Sequence, residues 1–257
     1  METTTDCIFF PYMKNKILIF SFFILPAVTG GSSSFINSQY SNDDFVTCTI
    51  DPDKTTLKLY WKDDSGKPLK SLQALKDYCA AKKEKLIFAM NGGMYKEDCS
   101  PLGLFIQAGK TLTPVNKKNG SGNFYLLPNG IFYFTVNNTA HICVTNKFID
   151  SSNIQYATQS GPMLLTDGNI HPAFKKSSTN INVRNGVGIL PGNRVLFAMS
   201  KKEISLYDFA NFFKTAGCSN ALYLDGFVSR TYLPEKNWTQ TDGNFGVMIG
   251  AVEKEIH

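Results

Sequence analysis

The sequence predicts a mixed α/β (α+β) fold: a single domain with a strand-rich core and flanking helices. Three observations lead there. Two segments, Leu69 to Asn91 and Ser205 to Asp225, each run from an amphipathic helical pattern through a short connection into an apolar strand, and each strand meets a polar residue just before glycine. The stretch between them is rich in short apolar runs separated by Pro, Gly and Asn, which punctuate hairpins. No low-complexity stretch or linker divides the chain beyond its first 30 residues, so one domain over 31–257 is expected.

The first 30 residues read as a targeting segment. Lys14 and Lys16 precede the apolar run Ile17 to Val28, and the small residues Thr29, Gly30 and Gly31 follow. That order is the one of a secretory signal peptide, with an apolar part short for a bilayer span. The expectation is therefore a secreted or periplasmic protein, with no stable membrane insertion after processing. Beyond the leader, Cys48, Cys79, Cys99, Cys143 and Cys218 are an odd set without a C-x-x-C spacing, so at least one thiol is unpaired within the chain.

The elements follow in order. Thr56 to Trp61 alternates with Leu57, Leu59 and Trp61 on one side, a half-buried strand. Leu69 to Lys83 places Leu72, Leu75, Tyr78 and Cys79 at helical spacing. Leu86 to Met90 is continuously apolar, and Asn91, Gly92 and Gly93 are expected to turn the chain sharply. Phe124 to Leu127 and Ile131 to Val136 flank Pro128, Asn129 and Gly130 as a predicted hairpin, with a further strand over His141 to Thr145. Ile154 to Gln159 reads as a strand. Val187 to Leu190 and Arg194 to Met199 flank Pro191, Gly192 and Asn193 as a second hairpin. Ser205 with Asp208 three residues later opens a helix that Gly217 stops, and Ala221 to Leu224 is the strand that delivers Asp225.

Composition excludes several function classes. Lys and Arg number 26 against 21 Asp and Glu, and the net +5 is spread along the chain. A nucleic-acid surface needs a denser stripe, whereas a diffuse positive balance suits an anionic substrate. There is no G-x-S-x-G, H-E-x-x-H, Walker loop or dinucleotide-binding glycine fingerprint, and the three histidines pair with no cysteine spacing. No metal and no cofactor are expected.

The candidate site residues are polar groups set among glycines at the ends of apolar runs. Asn91 with Gly92 and Gly93 offers close backbone approach and N–H donors. Ser160 and Gly161 close another run. Arg184 beside Asn185 offers a planar fork for phosphate or carboxylate. Asp225, behind four apolar or aromatic residues, is the candidate acid, base or nucleophile, with Gly226 and Ser229 next to it. His171 in GNIHPAF is a candidate proton shuttle.

Taken in order, MNGGMY, SGPMLLTDG, RNGVGIL and LYLDGFVSRTY resemble the phosphodiester glycosidase family over about Leu86 to Val252, nearest its bacterial exported branch. The resemblance implies a hydrolase that cleaves the sugar C1–phosphate bond of a glycosyl phosphodiester. On that reading Asp225, Arg184 and His171 are catalytic, and Asn91, Gly92, Gly93, Tyr95, Ser160, Gly161, Asn185, Gly226 and Ser229 bind substrate. The pattern departs from the family at two places. Phe227 and Val228 separate Gly226 from Ser229, where the family commonly continues with glycine, and Asn185 and Gly186 follow Arg184. Two other readings fit the same residues: a non-catalytic envelope protein holding an anionic glycan, and a phosphodiesterase cutting on the other side of the phosphate.

Overall fold

A computed structural model of the chain describes residues 41–254; the predicted signal peptide lies outside the described residues. The helix-flanked α/β core is not what forms. Three antiparallel sheets dominate, and the described residues hold two α-helices, Leu72–Ala81 and Leu206–Thr215. The six-stranded sheet runs Phe45–Ile50, Arg194–Ser200, Asn185–Leu190, Asn220–Asp225, Met163–Thr166 and Asn169–Ile170 in spatial order. A five-stranded sheet runs Trp238–Thr239, Thr231–Leu233, Glu84–Gly93, Val247–Lys254 and Thr56–Tyr60. The other five-stranded sheet runs Lys110–Thr113, Phe105–Gln107, Ile154–Ser160, Gly130–Thr135 and Ala140–Val144.

The physical reason for the correction lies in the pairing. Asn220–Asp225, the strand fed by the second helix, is hydrogen-bonded on both sides to antiparallel neighbours. Glu84–Gly93, fed by the first, is likewise antiparallel to Val247–Lys254 and Thr231–Leu233. Helix-then-strand succession is local, whereas strand direction is set by partners far away in sequence. The apolar runs are buried on both faces because a helix covers one face and another sheet the other. Leu222 and Leu224 enter the central core, while Ala221 and Tyr223 pack with Phe209 and Phe213 of the second helix.

The second helix starts behind the serine the sequence indicates, whereas the first, expected from Leu69, starts at Leu72 behind Ser71. The Ser71 hydroxyl accepts from Ala74 N–H and the Ser205 hydroxyl from Asp208 N–H, satisfying donors that a first helical turn leaves open. The second hairpin forms as expected around Pro191 to Asn193. The first does not. Asn123–Tyr125 is a short 3₁₀ turn, the Leu127–Pro128 bond is cis, and Gly130–Thr135 pairs instead with Ala140–Val144 and Ile154–Ser160. Proline cannot donate to a ladder, so the run before it stays outside the sheet. The sharp turn expected at Asn91 is also absent, because the strand continues to Gly93.

The three sheets meet around Phe197. Its ring centroid lies 5.0 Å from Phe88 and 6.0 Å from Phe132, one ring from each sheet, and all three rings are buried. No disulfide joins the five cysteines of the described residues. No helix among them is long and apolar enough to cross a membrane.

Because Phe197 fills the junction of three sheets that cannot all collapse onto a void, Phe197→Ala is expected to cost about 3–5 kcal/mol. Urea unfolding at constant slope checks it; a loss below about 1 kcal/mol contradicts the junction role.

Candidate active site

The site is built where the end of one strand in the six-stranded sheet meets the end of Glu84–Gly93. Asn185 faces Asp225 in register, but the next pair is Gly186 with Tyr223, so Leu224 is an extra residue in its strand. Such a bulge bends the strand and re-aims the side chain beside it. Asp225 is thereby delivered to a cleft of about 430 Å³. Tyr95, Lys96 and Glu97 form one wall, Asn123, Phe124 and Tyr125 another, and Val228 stands beside Asp225.

A buried amide pair holds this corner. The Asn185 Nδ2 donates to both the backbone oxygen and Oδ1 of Asn91, at 2.8 and 3.0 Å. Asn185 Oδ1 accepts the Asp225 backbone N–H at 2.9 Å, and Asn91 Oδ1 accepts the Arg230 N–H at 3.0 Å. Asn91 Nδ2 is buried and has no full hydrogen bond. It nevertheless lies close enough to the Asp225 carboxylate to favour its charge.

Asp225 keeps a partly open face on the cleft while protein surrounds most of its carboxyl group. Burial pushes its pKa up to about 6, against the opposing pull of the Gly226 N–H and the Asn91 amide. The Gly226 N–H donates to Asp225 Oδ1 at 2.7 Å. Gly226 itself has no room for a side chain, since a Cβ there would fall 2.2 Å from the Tyr223 hydroxyl. Burial also pushes Tyr95 up to about 12, with the Asp225 charge adding to the effect, and pushes Tyr223 up to about 12, so these two stay neutral hydroxyls.

The structure brings together Asp225, Asn91, Asn185, Tyr95, Gly226 and Ser229, the last through its hydroxyl on the Gly226 carbonyl at 2.6 Å. Gly92 and Gly93 are strand residues that admit Ile249 and Thr158 closely, so they serve sheet packing rather than a ligand-facing turn. Ser160 turns its hydroxyl to the Leu224 carbonyl at 2.8 Å and braces the bulged strand. Gly161 packs beneath Asn129 and the Phe124 carbonyl, under the cleft wall.

Two expectations change. Arg184 is buried and does not present its fork to the cleft. Its Nε donates to the Ile204 carbonyl at 2.7 Å, Nη1 to the Tyr223 hydroxyl at 3.1 Å, and Nη2 to both oxygens of Asn180. Arg184 therefore reaches the site through Tyr223. His171 lies away from the cleft, with Nε2 on the Leu127 carbonyl at 3.0 Å, Nδ1 accepting the Ala173 N–H, and its ring stacked on Phe174. Burial lowers its pKa, which keeps it neutral, and both ring nitrogens are engaged.

Lys96, Glu97 and Asn123 were not among the sequence candidates, yet they line the cleft. Lys96 and Glu97 directly follow MNGGMY, which is the one signal that pointed to them; an exposed charged pair usually only meets solvent. A larger, mostly apolar groove of about 550 Å³ runs past Cys48, Phe88 and Tyr232, but none of the predicted site residues lines it. Among the described residues no group of three or more His, Cys, Asp or Glu side chains gathers to hold a metal.

Comparison with known proteins gives the family of the chain. Residues 84–250 match the model of the phosphodiester glycosidase family. The chain is 36% identical over 186 residues to the Escherichia coli K12 protein YigE, covering 72% of each. In fold it is similar to the catalytic domain of zebrafish N-acetylglucosamine-1-phosphodiester α-N-acetylglucosaminidase, a structure auto-inhibited by its pro-peptide, with a TM-score of 0.56 at 16% identity over 83% of this chain and 85% of that one. A Burkholderia pseudomallei protein gives a TM-score of 0.54 at 10% identity, covering 80% and 73%. At such identities these two likenesses concern the fold alone. The match over residues 84–250, which contains the Asn91, Asn185 and Asp225 corner, together with the kinship to YigE, means that this chain belongs to the phosphodiester glycosidase family.

Proposed function

We propose that the chain is an exported hydrolase that cleaves the sugar C1–phosphate bond of a glycosyl phosphodiester, with Asp225 at the reacting carbon. The observation that carries this is the Asp225 carboxyl group, raised in pKa by burial, at a strand bulge opening into a cleft walled by the residues after Asn91–Gly93. A phosphomonoester leaves more readily than a sugar alkoxide, so strong protonation of the leaving oxygen is less necessary. The remaining work is to support positive charge at C1 and to bring in water.

In this reading the ionised Asp225 carboxylate faces C1 and takes a proton from the attacking water. The open Nδ2 of Asn91 holds the carboxylate, or a sugar oxygen, in place. Lys96, the cation of the cleft wall, faces the phosphate. Arg184 is a positioning residue: it fixes the Tyr223 hydroxyl beneath Gly226 and so the turn that follows Asp225. Export is supported by Lys14, Lys16 and the apolar Ile17 to Val28.

The test is turnover of a glycosyl phosphodiester in H₂¹⁸O by the purified protein lacking residues 1–30. The expected products are free sugar carrying the label and an unlabelled phosphomonoester. Label in phosphate means a phosphodiesterase, and saturable binding without turnover means a binding protein.

Asp225→Asn keeps size and one acceptor while removing the charge, and is expected to lower kcat by about 10²-fold or more. For the wild type, kcat/KM is expected to rise with pH and level off above about 6, where Asp225 ionises. A plateau extending well below pH 5 contradicts the assignment. Stability carries the opposite sign. The folded pKa of about 6 exceeds the unfolded value of about 3.9, so the folded state holds the proton more tightly and loses stability as pH rises between them. Asp225→Asn removes that loss. Its unfolding midpoint is expected to match wild type near pH 4 and to exceed it above about pH 6, measured by urea titration at each pH. Lys96→Gln is expected to raise KM roughly three- to tenfold with a small effect on kcat, as for an exposed charge that binds phosphate in both ground and transition states.

A further inference from the structure

We propose that Phe227 is a platform for the alcohol on the far side of the substrate's phosphate, and that this alcohol presents an apolar or aromatic face. The inference rests on the reading of the Asp225 cleft as a phosphodiester glycosidase site. Phe227 is 87% exposed, more than any other large apolar side chain of the described residues, although Leu224, Gly226 and Ser229 around it are buried. Asp225 before it and Val228 after it both line the cleft, so the turn that carries the ring borders the cleft.

The turn that carries it is held firmly. The Gly226 carbonyl accepts from both the Ser229 N–H at 2.8 Å and the Ser229 hydroxyl at 2.6 Å. The Gly226 N–H is fixed on Asp225, and the Arg230 N–H on Asn91. An aromatic side chain on a backbone tied at both ends enters a complex with little further ordering, and stacking removes it from water. The sugar must bring C1 to Asp225, inside a cleft already walled by Tyr95, Phe124 and Tyr125. Phe227 is not part of those walls, and on this reading it faces the portion of substrate that protrudes beyond the phosphate. A phenyl ring has no donor or acceptor and selects apolar surface there.

The test compares two glycosyl phosphodiesters of one sugar, a benzyl and a methyl ester. Their phosphates leave with similar ease, so the ring is the main difference between them. The wild type is expected to prefer the benzyl ester in kcat/KM by about three- to tenfold, the range an aromatic contact supports. Phe227→Ala is expected to bring that ratio near one, and Phe227→Trp to retain it. Because the side chain is exposed, both variants should unfold at the wild-type urea midpoint. A ratio unchanged in Phe227→Ala, or a wild type without preference, overturns the proposal. If the wild type turns over neither ester, the hydrolase reading fails and calorimetric titration of the same pair decides the platform. A benzyl preference in binding that Phe227→Ala abolishes supports it, and equal binding or none overturns it.

Discussion

The hydrogen bonds between Asn91 and Asn185 are the constraint on which the site depends. These two side chains belong to different sheets, both are fully buried, and their amides connect the end of Glu84–Gly93 to the start of Asn185–Leu190. The same pair receives the backbone N–H groups of Asp225 and Arg230, so the segment between them is anchored at each end to one polar corner. A buried amide left without partners costs about 1–3 kcal/mol, which favours keeping these bonds together. The one donor left open, Asn91 Nδ2, lies beside the carboxylate.

Much of the fold was legible because its signals are local. Alternation located Thr56–Tyr60, helical spacing located the first helix, Ser205 with Asp208 located the second, and Pro191 to Asn193 located a real hairpin. The errors came where local signals ended. The direction of Asn220–Asp225 is set by Asn185–Leu190 and Met163–Thr166, neither adjacent in the chain, so two helix–strand units resembled an α/β pattern without forming one. The run before Pro128 was apolar enough for a strand, but Phe124 is buried from a 3₁₀ turn and serves the cleft wall instead.

The site was legible to a similar depth. Asp225 at the end of an apolar run, Asn91 before glycines and Asn185 behind an arginine were visible as residue types in suggestive places. Arg184 shows the limit of such evidence. A sequence reports that a guanidinium exists, while the structure reports that its donors are taken by Ile204, Tyr223 and Asn180. His171 failed for the same reason, both of its nitrogens being engaged. Lys96 and Glu97 come from a loop and Asn123 from a 3₁₀ turn whose placement depends on distant strands, and Gln159 illustrates how. Its amide holds both the Leu104 and Asn116 N–H groups, tying the segment that leads to the cleft wall at Ser121 and Gly122.

The unpaired cysteines have a consequence for the folded chain as a whole. Burial pushes the thiols of Cys48 and Cys218 up to about 12 and that of Cys143 up to about 11, so almost none is thiolate at neutral pH. Thiolate is the form that alkylating reagents attack. The three report on different parts of the architecture: Cys48 on an outer strand of the six-stranded sheet, Cys143 on an edge of a five-stranded one, and Cys218 beyond the second helix. Cys218 is buried while Cys48 and Cys143 are half-buried, so mass spectrometry of alkylated peptides would time the opening around Cys218 against two more accessible thiols in the same native protein.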